Sequence, residues 1–350
     1  MNDSYSTKAV EDEAVCVDEK SEKAIPKTSP GSRLVQFALG MIGFGRYSVP
    51  TEKRRELDLF LTSRRRLKFG ILFALFALYV LWGGTYLAMR IALQSFPPFL
   101  LSGIRFLIAG SILYVFLRAR GGESPTRKQW IGAALVGILL LAGGNGGVVF
   151  AEQWVASGLA SLGIAAVPLW AALFSGLFGR WPNRKEWLGL GIGFIGVMLL
   201  NLENGFSANP LGAIALLIAP MSWAFGSIWS SRLPLPKGLM ASAAQMLAGG
   251  LVLVILGLSL GERVTRVPAA GPIWAMLFLI FGGSLVAYSA YGYLLTHVRP
   301  VLATSYAYVN PAVAVGLGAL FAGEKLTPVG FVAMLAILTG VCLLSLVRQH

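Results

Sequence analysis

The stretch Leu302-Ala303-Thr304-Ser305-Tyr306-Ala307-Tyr308-Val309-Asn310-Pro311 has a plainer counterpart earlier in the chain, Leu159-Ala160-Ser161-Leu162-Gly163-Ile164-Ala165-Ala166-Val167-Pro168. Both carry Leu, Ala, Ser or Thr, and Pro at the same four places, 143 positions apart. Each lies within an apolar run of the ~20 residues that a bilayer-crossing helix needs. The pairing predicts one helical unit written twice, with a working surface along these two segments.

Composition agrees with a membrane protein. Hydrophobic residues make up 56% of the 350 and charged residues only 13%, against about 25% charged in soluble domains. Mean hydropathy is +0.70, and 42 glycines suit helices packed backbone to backbone in lipid. The net charge of +13 comes from short basic clusters between apolar runs. Such clusters read as topology signals, which argues against nucleic-acid binding. Cys16 lies in a polar tail and Cys342 in the last apolar run, while His297 and His350 stand far apart. Neither pair implies a disulfide framework or a metal site. No phosphate loop, G-x-S-x-G elbow or pair of catalytic carboxylates occurs, so neither enzymatic chemistry nor a cofactor is expected.

Residues 1–63 read as a disordered or interfacial tail, since the first 32 are polar and charged and the apolar run 34–44 has 11 residues, too few to span. Apolar runs then predict helices at about 69–89, 98–117, 130–150, 157–179, 186–202, 210–231, 238–260, 273–296, 301–322 and 328–347. With the N-terminus inside, fifteen Lys and Arg near the membrane face the cytoplasm, among them Arg64, Arg65, Arg66 and Lys68. Only Arg90, Arg263, Arg266 and Lys325 face outward. The excess places both termini in the cytoplasm.

The expected fold is all-α, with ten transmembrane helices in two inverted five-helix repeats, 64–204 and 205–350. Trp82-Gly83-Gly84 aligns with Trp223-Ala224-Phe225, and Phe106-Leu107-Ile108-Ala109-Gly110 with Gln245-Met246-Leu247-Ala248-Gly249. Gly196-Val197 aligns in turn with Gly340-Val341. An odd helix number per unit makes the second copy enter from the opposite face, the arrangement of many alternating-access carriers. A duplicated structural protein would show the same repeat.

Trp82-Gly83-Gly84-Thr85, Pro97-Pro98 followed by Arg105-Phe106, Pro168, Ala224-Phe225-Gly226-Ser227, Asn310-Pro311 and Gly323-Glu324-Lys325 together resemble the EamA-type, ten-helix members of the drug/metabolite transporter superfamily. The likeness covers about 69–347. It implies an efflux-type carrier of small polar metabolites in a bacterial inner membrane, with relatives that export amino acids.

Candidate site residues follow from polarity at depth. Pro168 and Pro311 lack an N–H, leaving the carbonyls of Ile164 and Ala307 without helical donors. They predict kinked, cavity-lining helices. Thr304 and Tyr308 share one helix face and Tyr306 and Asn310 another. One of the two faces is expected to meet substrate, and the spacing does not say which. Arg105, some 10 Å beyond Pro98 at 1.5 Å per residue, faces a wet interior or an anion, or else snorkels. Asn145, inside Gly143-Gly144-Asn145-Gly146-Gly147, marks either a helix crossing or a ligand contact. Trp82 and Trp223 are repeat-related aromatic wall candidates. Glu152 is a candidate for ion coupling or merely a helix end.

The function these features predict is a secondary transporter exporting small polar metabolites such as amino acids, with a proton or an exchange solute as conceivable partner. A flippase for a lipid-linked or amphipathic substrate, a membrane-embedded enzyme subunit and a pore are the rival readings.

Overall fold

A computed structural model describes residues 51–154, 163–202, 210–265, 267–321 and 328–346. The predicted tail to residue 50, the start of the Leu159–Pro168 stretch, and Gly323-Glu324-Lys325 lie outside them. The described residues fall into helices α1 (Thr51–Ala92), α2 (Pro98–Ala119), α3 (Arg127–Ala151), α4 (Val167–Leu177) and α5 (Arg184–Leu202). The second half adds α6 (Pro210–Trp229), α7 (Leu239–Ser259), α8 (Ala270–His297), α9 in two pieces (Pro300–Ala303 and Tyr306–Phe321), and α10 (Pro328–Leu346). Among the described residues there is no strand.

Among the described residues, six segments are long and apolar enough to cross a bilayer: Leu67–Ala92, Pro98–Ala119, Arg127–Ala151, Pro210–Arg232, Leu239–Ser259 and Ala270–His297. Large apolar side chains cover their outsides. Phe69, Leu72, Phe73 and Phe76 on α1 are each more than 60% exposed. Water would not tolerate a belt of that size, whereas acyl chains would.

Local chemistry fixes the helix ends. Thr126 and Gln129 form a reciprocal capping box at the start of α3, satisfying donors that the first turn leaves free. Asn183 and Glu186 do the same for α5 at 2.8 and 2.9 Å. Glu186, only 2% exposed, also pairs with Arg299 at 2.9 Å, tying the start of α5 to that of α9. The carboxylate of Glu262 reaches from beyond α7 to accept the Phe99 and Leu100 N–H groups at 3.1 and 2.8 Å. It thereby caps α2 and meets the positive end of its dipole.

Small residues set the helix crossings. A Cβ placed on Gly103 of α2 would stand 2.8 Å from Val254 N and 2.9 Å from Gly250 O of α7. A Cβ placed on Gly340 of α10 would stand 2.7 Å from Gly189 O and 2.7 Å from Gly193 N of α5. Both pairs join helices that are counterparts in the duplicated scheme.

Two helices widen into π-turns, α3 over Ile138–Gly146 and α8 over Leu279–Tyr288. These stretches hold Gly143-Gly144-Asn145 and Gly282-Gly283-Ser284, at an offset of 139. Pro168 stands at the first turn of α4, after a turn at Ala166, where a missing N–H costs nothing. Residues 163–165 before it are helical too, so the apolar helix Gly163–Leu177 breaks at Ala166, two residues ahead of Pro168. Pro311 does lie inside its helix. In α9 the helical run breaks at Thr304 and Ser305, whose hydroxyls bond back to Pro300 and Leu302 carbonyls at 2.9 and 2.7 Å.

Candidate functional site

A cavity lies among α1, α2, α3, α6, α8 and α9, together with residues 164–167 leading into α4. Trp82, Arg105, Asn145, Trp223, Tyr306 and Asn310 line it, so six of the predicted residues meet in one place. Thr85, Tyr86, Phe106 and Tyr288 complete its polar and aromatic wall.

Arg105 is 3% exposed. Its Nη2 donates to Asn145 Oδ1 at 2.7 Å, and the Ser102 hydroxyl donates to the same oxygen at 3.3 Å. Its guanidinium carbon sits 4.4 Å from the centroid of the Phe106 ring, so ring and amide together hold the fork in place. The remaining guanidinium nitrogens, Nε and Nη1, have no hydrogen-bond partner, and neither has Asn310 Oδ1. Unmade bonds of buried groups each cost about 1–3 kcal/mol, more for a charge. An arrangement that keeps them together leaves them for a ligand.

Below these polar groups the aromatic rings close up. Trp82 contacts Trp223 and Tyr291 at 5.5 Å and Tyr306 at 4.6 Å between ring centroids. Their polar atoms are used internally. Trp82 Nε1 donates to Gly283 O at 2.8 Å, and Trp223 Nε1 to Tyr291 OH at 3.1 Å. Tyr291 shares a 2.6 Å bond with Ser227. The cluster forms a floor with its hydrogen bonds already made.

The two halves meet this floor in a crossed pattern. Trp82 of α1 bonds Gly283 in the widened turn of α8, and Trp223 of α6 packs on Gly144 in the widened turn of α3. A Cβ at Gly144 would stand 2.6 Å from the Trp223 ring, and one at Gly283 2.9 Å from Thr85. A side chain at Gly144 would press on the Trp223 indole, and one at Gly283 on Thr85.

Thr304 and Tyr308 stand apart from this site. Thr304 Oγ1 is spent on the Pro300 and Val301 carbonyls, and Tyr308 OH reaches the Leu190 carbonyl at 3.2 Å, within a second apolar cluster on α5 and α10. Of the two faces read from the sequence, the cavity meets that of Tyr306 and Asn310. Pro311 follows Asn310 directly, and Pro168 follows the cavity residue Val167.

Glu152 lies one residue beyond the α3 span and lines a second opening with Arg90, Gln94 and Arg263. Both carboxylate oxygens are buried without partners. Burial pushes its carboxyl up from 4.5 to about 8, opposed by the charges of Arg105 and Arg90. The two charges that act on it belong one to each opening, Arg105 to the first and Arg90 to the second.

Sequence reasoning did not single out Gly283, Ser284, Tyr288 or Thr85. The recurrence of Gly-Gly-Asn as Gly-Gly-Ser 139 residues later was the signal available for the first two. Among the described residues no group of three or more potential metal ligands occurs.

The EamA-like transporter family model matches this chain twice, over residues 68–202 and 210–346. The chain belongs to that family. This EamA-like protein is 47% identical over 274 residues to the inner membrane transporter YedA of Escherichia coli K12, covering 78% of this chain and 90% of that one. It is 28% identical to protein PecM of Dickeya dadantii, over 77% and 91% of the two chains. The transporter YdfC of Bacillus subtilis is 26% identical, over 75% and 86%. A solved crystal structure shares the fold at a TM-score of 0.66 and 22% identity, over 79% of this chain and 97% of that one. The family is one of membrane transporters, not of enzymes.

Proposed function

We propose that this EamA-like protein is a secondary-active exporter of small polar metabolites, amino acids among them, working by alternating access in the bacterial inner membrane. The observation that carries the reading is the buried cavity at the meeting of both family repeats, holding Arg105 and Asn310 with unmade hydrogen bonds. The name of the YedA relative supports the membrane assignment.

In this reading ten helices form two inverted five-helix repeats with both termini in the cytoplasm. The crossed packing of Trp82 on Gly283 and Trp223 on Gly144 supports it, because an inverted duplication places matched residues across one axis. The aromatic floor, with the Glu186–Arg299 pair beyond it, then closes the cytoplasmic side. The outer side, bearing Glu152, stays the more open. Rocking of the halves exchanges the two states, driven by a solute or ion gradient.

Counterflow in proteoliposomes tests the function. Vesicles holding the purified protein and loaded with unlabelled amino acids and other small metabolites should accumulate the labelled counterpart of at least one of them. Protein-dependent movement of a lipid-linked substrate, with no exchange of any soluble solute, would overturn the reading.

A further inference from the structure

We propose that the cavity takes a small monocarboxylate anion with an uncharged apolar or aromatic body, anchored by Arg105. The inference rests on the transport reading above and narrows its substrate class. Three observations carry it.

The first is the state of the guanidinium. One of its nitrogens is fixed, with Nη2 on Asn145 Oδ1 at 2.7 Å, while Nε and Nη1 are buried without partners. Nε and an Nη form the fork that accepts a carboxylate through two parallel bonds. Nη2 belongs to both two-bond edges of the guanidinium. Asn145 takes one of its two N–H groups and sets the direction of the group. The second Nη2 N–H is left with a free neighbour, Nε or Nη1, to form the open edge.

The second is charge balance. Among the described residues one ion pair forms, Glu186 with Arg299, and it lies away from Arg105. Glu152 acts on Arg105 only through space, and burial pushes its own carboxyl toward the neutral form. A cation at depth needs an anionic partner or water. A monoanion supplies that partner, whereas a zwitterion would bring a second cation and leave the cavity with a net positive charge.

The third is the rest of the wall. Among the described residues no carboxylate lines the cavity to receive an ammonium group. The Thr85 hydroxyl is spent on the Trp82 carbonyl at 2.7 Å and that of Tyr288 on Gln245 at 2.8 Å. What remains is neutral, Asn310 with the Tyr86 and Tyr306 hydroxyls, beside aromatic faces. Such a wall suits an apolar or aromatic body whose further polar groups are uncharged.

A series on one carbon frame tests this. Quenching of intrinsic tryptophan fluorescence, with Trp82 and Trp223 in the cavity wall, reports binding to the purified full chain in nanodiscs. The probes are 3-phenylpropionate, its neutral amide, phenylalanine and phenethylamine. The carboxylate should bind about ten- to a hundred-fold more tightly than the amide, the usual worth of a charge-assisted pair, and more tightly than phenylalanine. Phenethylamine should bind weakest. In Arg105→Gln the preference for carboxylate over amide should fall to near unity while amide binding persists. An amide or amine that binds as well as the carboxylate would overturn the proposal, as would phenylalanine binding best or no binding of any probe at millimolar concentration. The wild-type series decides even if the variant does not fold. Carboxylate preference without counterflow would sink the transport reading alone, and counterflow without that preference would sink this proposal alone.

Discussion

Replacing Gly103 by Ala tests whether backbone contact between α2 and α7 holds the bundle in its present form. The added Cβ would meet Val254 Cγ2 at 2.6 Å, Val254 N at 2.8 Å and Gly250 O at 2.9 Å. The valine methyl can rotate away. The other two are backbone atoms within a helix, so relief requires the helices to part by several tenths of an ångström. Overpacking of this kind costs about 1–3 kcal/mol. The exchange also contributes about 0.8–1.0 kcal/mol in the opposite sense, because Ala favours helix over Gly. Gly191→Ala supplies the control, since nothing stands within 4 Å of a Cβ there. Gly250→Ala, with its nearest contacts at 3.0 and 3.1 Å, should fall between the two. Unfolding in mixed detergent micelles, titrated with dodecyl sulfate and followed by circular dichroism, should rank Gly191→Ala most stable and Gly103→Ala least. The propensity gain is common to all three, so the gap between extremes isolates crowding at about 1–3 kcal/mol. Equal stability of Gly103→Ala and Gly191→Ala would refute the claim that these helices touch at their backbones.

Asn310→Ala should raise the half-saturation concentration in counterflow several-fold at unchanged abundance in the membrane. Thr304→Ala, which loses only bonds within its own helix, should leave that concentration alone and cost about 1 kcal/mol of stability; a larger transport effect from Thr304 would reverse the assignment of faces. Removing the α2 cap with Glu262→Ala should cost about 1–2 kcal/mol, read in the same unfolding titration, with Glu262→Gln losing less. The raised carboxyl of Glu152 means that the unfolded chain gives up this proton first, so its contribution to stability falls as pH rises from 4.5 to about 8. Glu152→Gln should flatten that part of the thermal-stability profile, and an unchanged slope would show that Glu152 is not the group responsible. A secreted-phosphatase reporter fused after Gly205 should be active; inactivity there, with activity in a fusion after Gly122, would break the proposed orientation.

The helical pattern was legible because long apolar runs leave the backbone no partners but its own. Arg105 and Asn145 were legible for a related reason, since a polar side chain at depth is costly unless something answers it. Trp82 and Trp223 stood out as matched indoles away from the interface where Trp usually anchors. The partnership of Arg105 and Asn145 was not legible. Forty residues separate them, and only the crossing of α2 and α3 brings them to 2.7 Å. Periodicity divided α9 into a Thr304–Tyr308 face and a Tyr306–Asn310 face, but the choice between them is made by α5 and α10, which take up Tyr308. Glu262 stayed hidden among loop charges, because capping a distant helix leaves no local sequence signature, and the partnership of Glu186 with Arg299 likewise joins two helix starts far apart in the chain. The glycine run around Asn145 announced a weak helix. Its widened turn depends on how Trp223 and Ser222 pack into it, with Ser222 bonding the Leu139 carbonyl at 2.7 Å.

The widened turns of α3 and α8 also bear on the cavity. A π-turn holds one more residue than the α-turn it replaces and behaves as an insertion absorbed without breaking the helix. Both halves carry this irregularity around Gly-Gly-Asn and Gly-Gly-Ser, within two copies of one family unit. Each copy of the unit thus brings one wide turn to the same cavity, the first through Gly144 and the amide of Asn145, the second through Gly283 beside the hydroxyl-bearing Ser284.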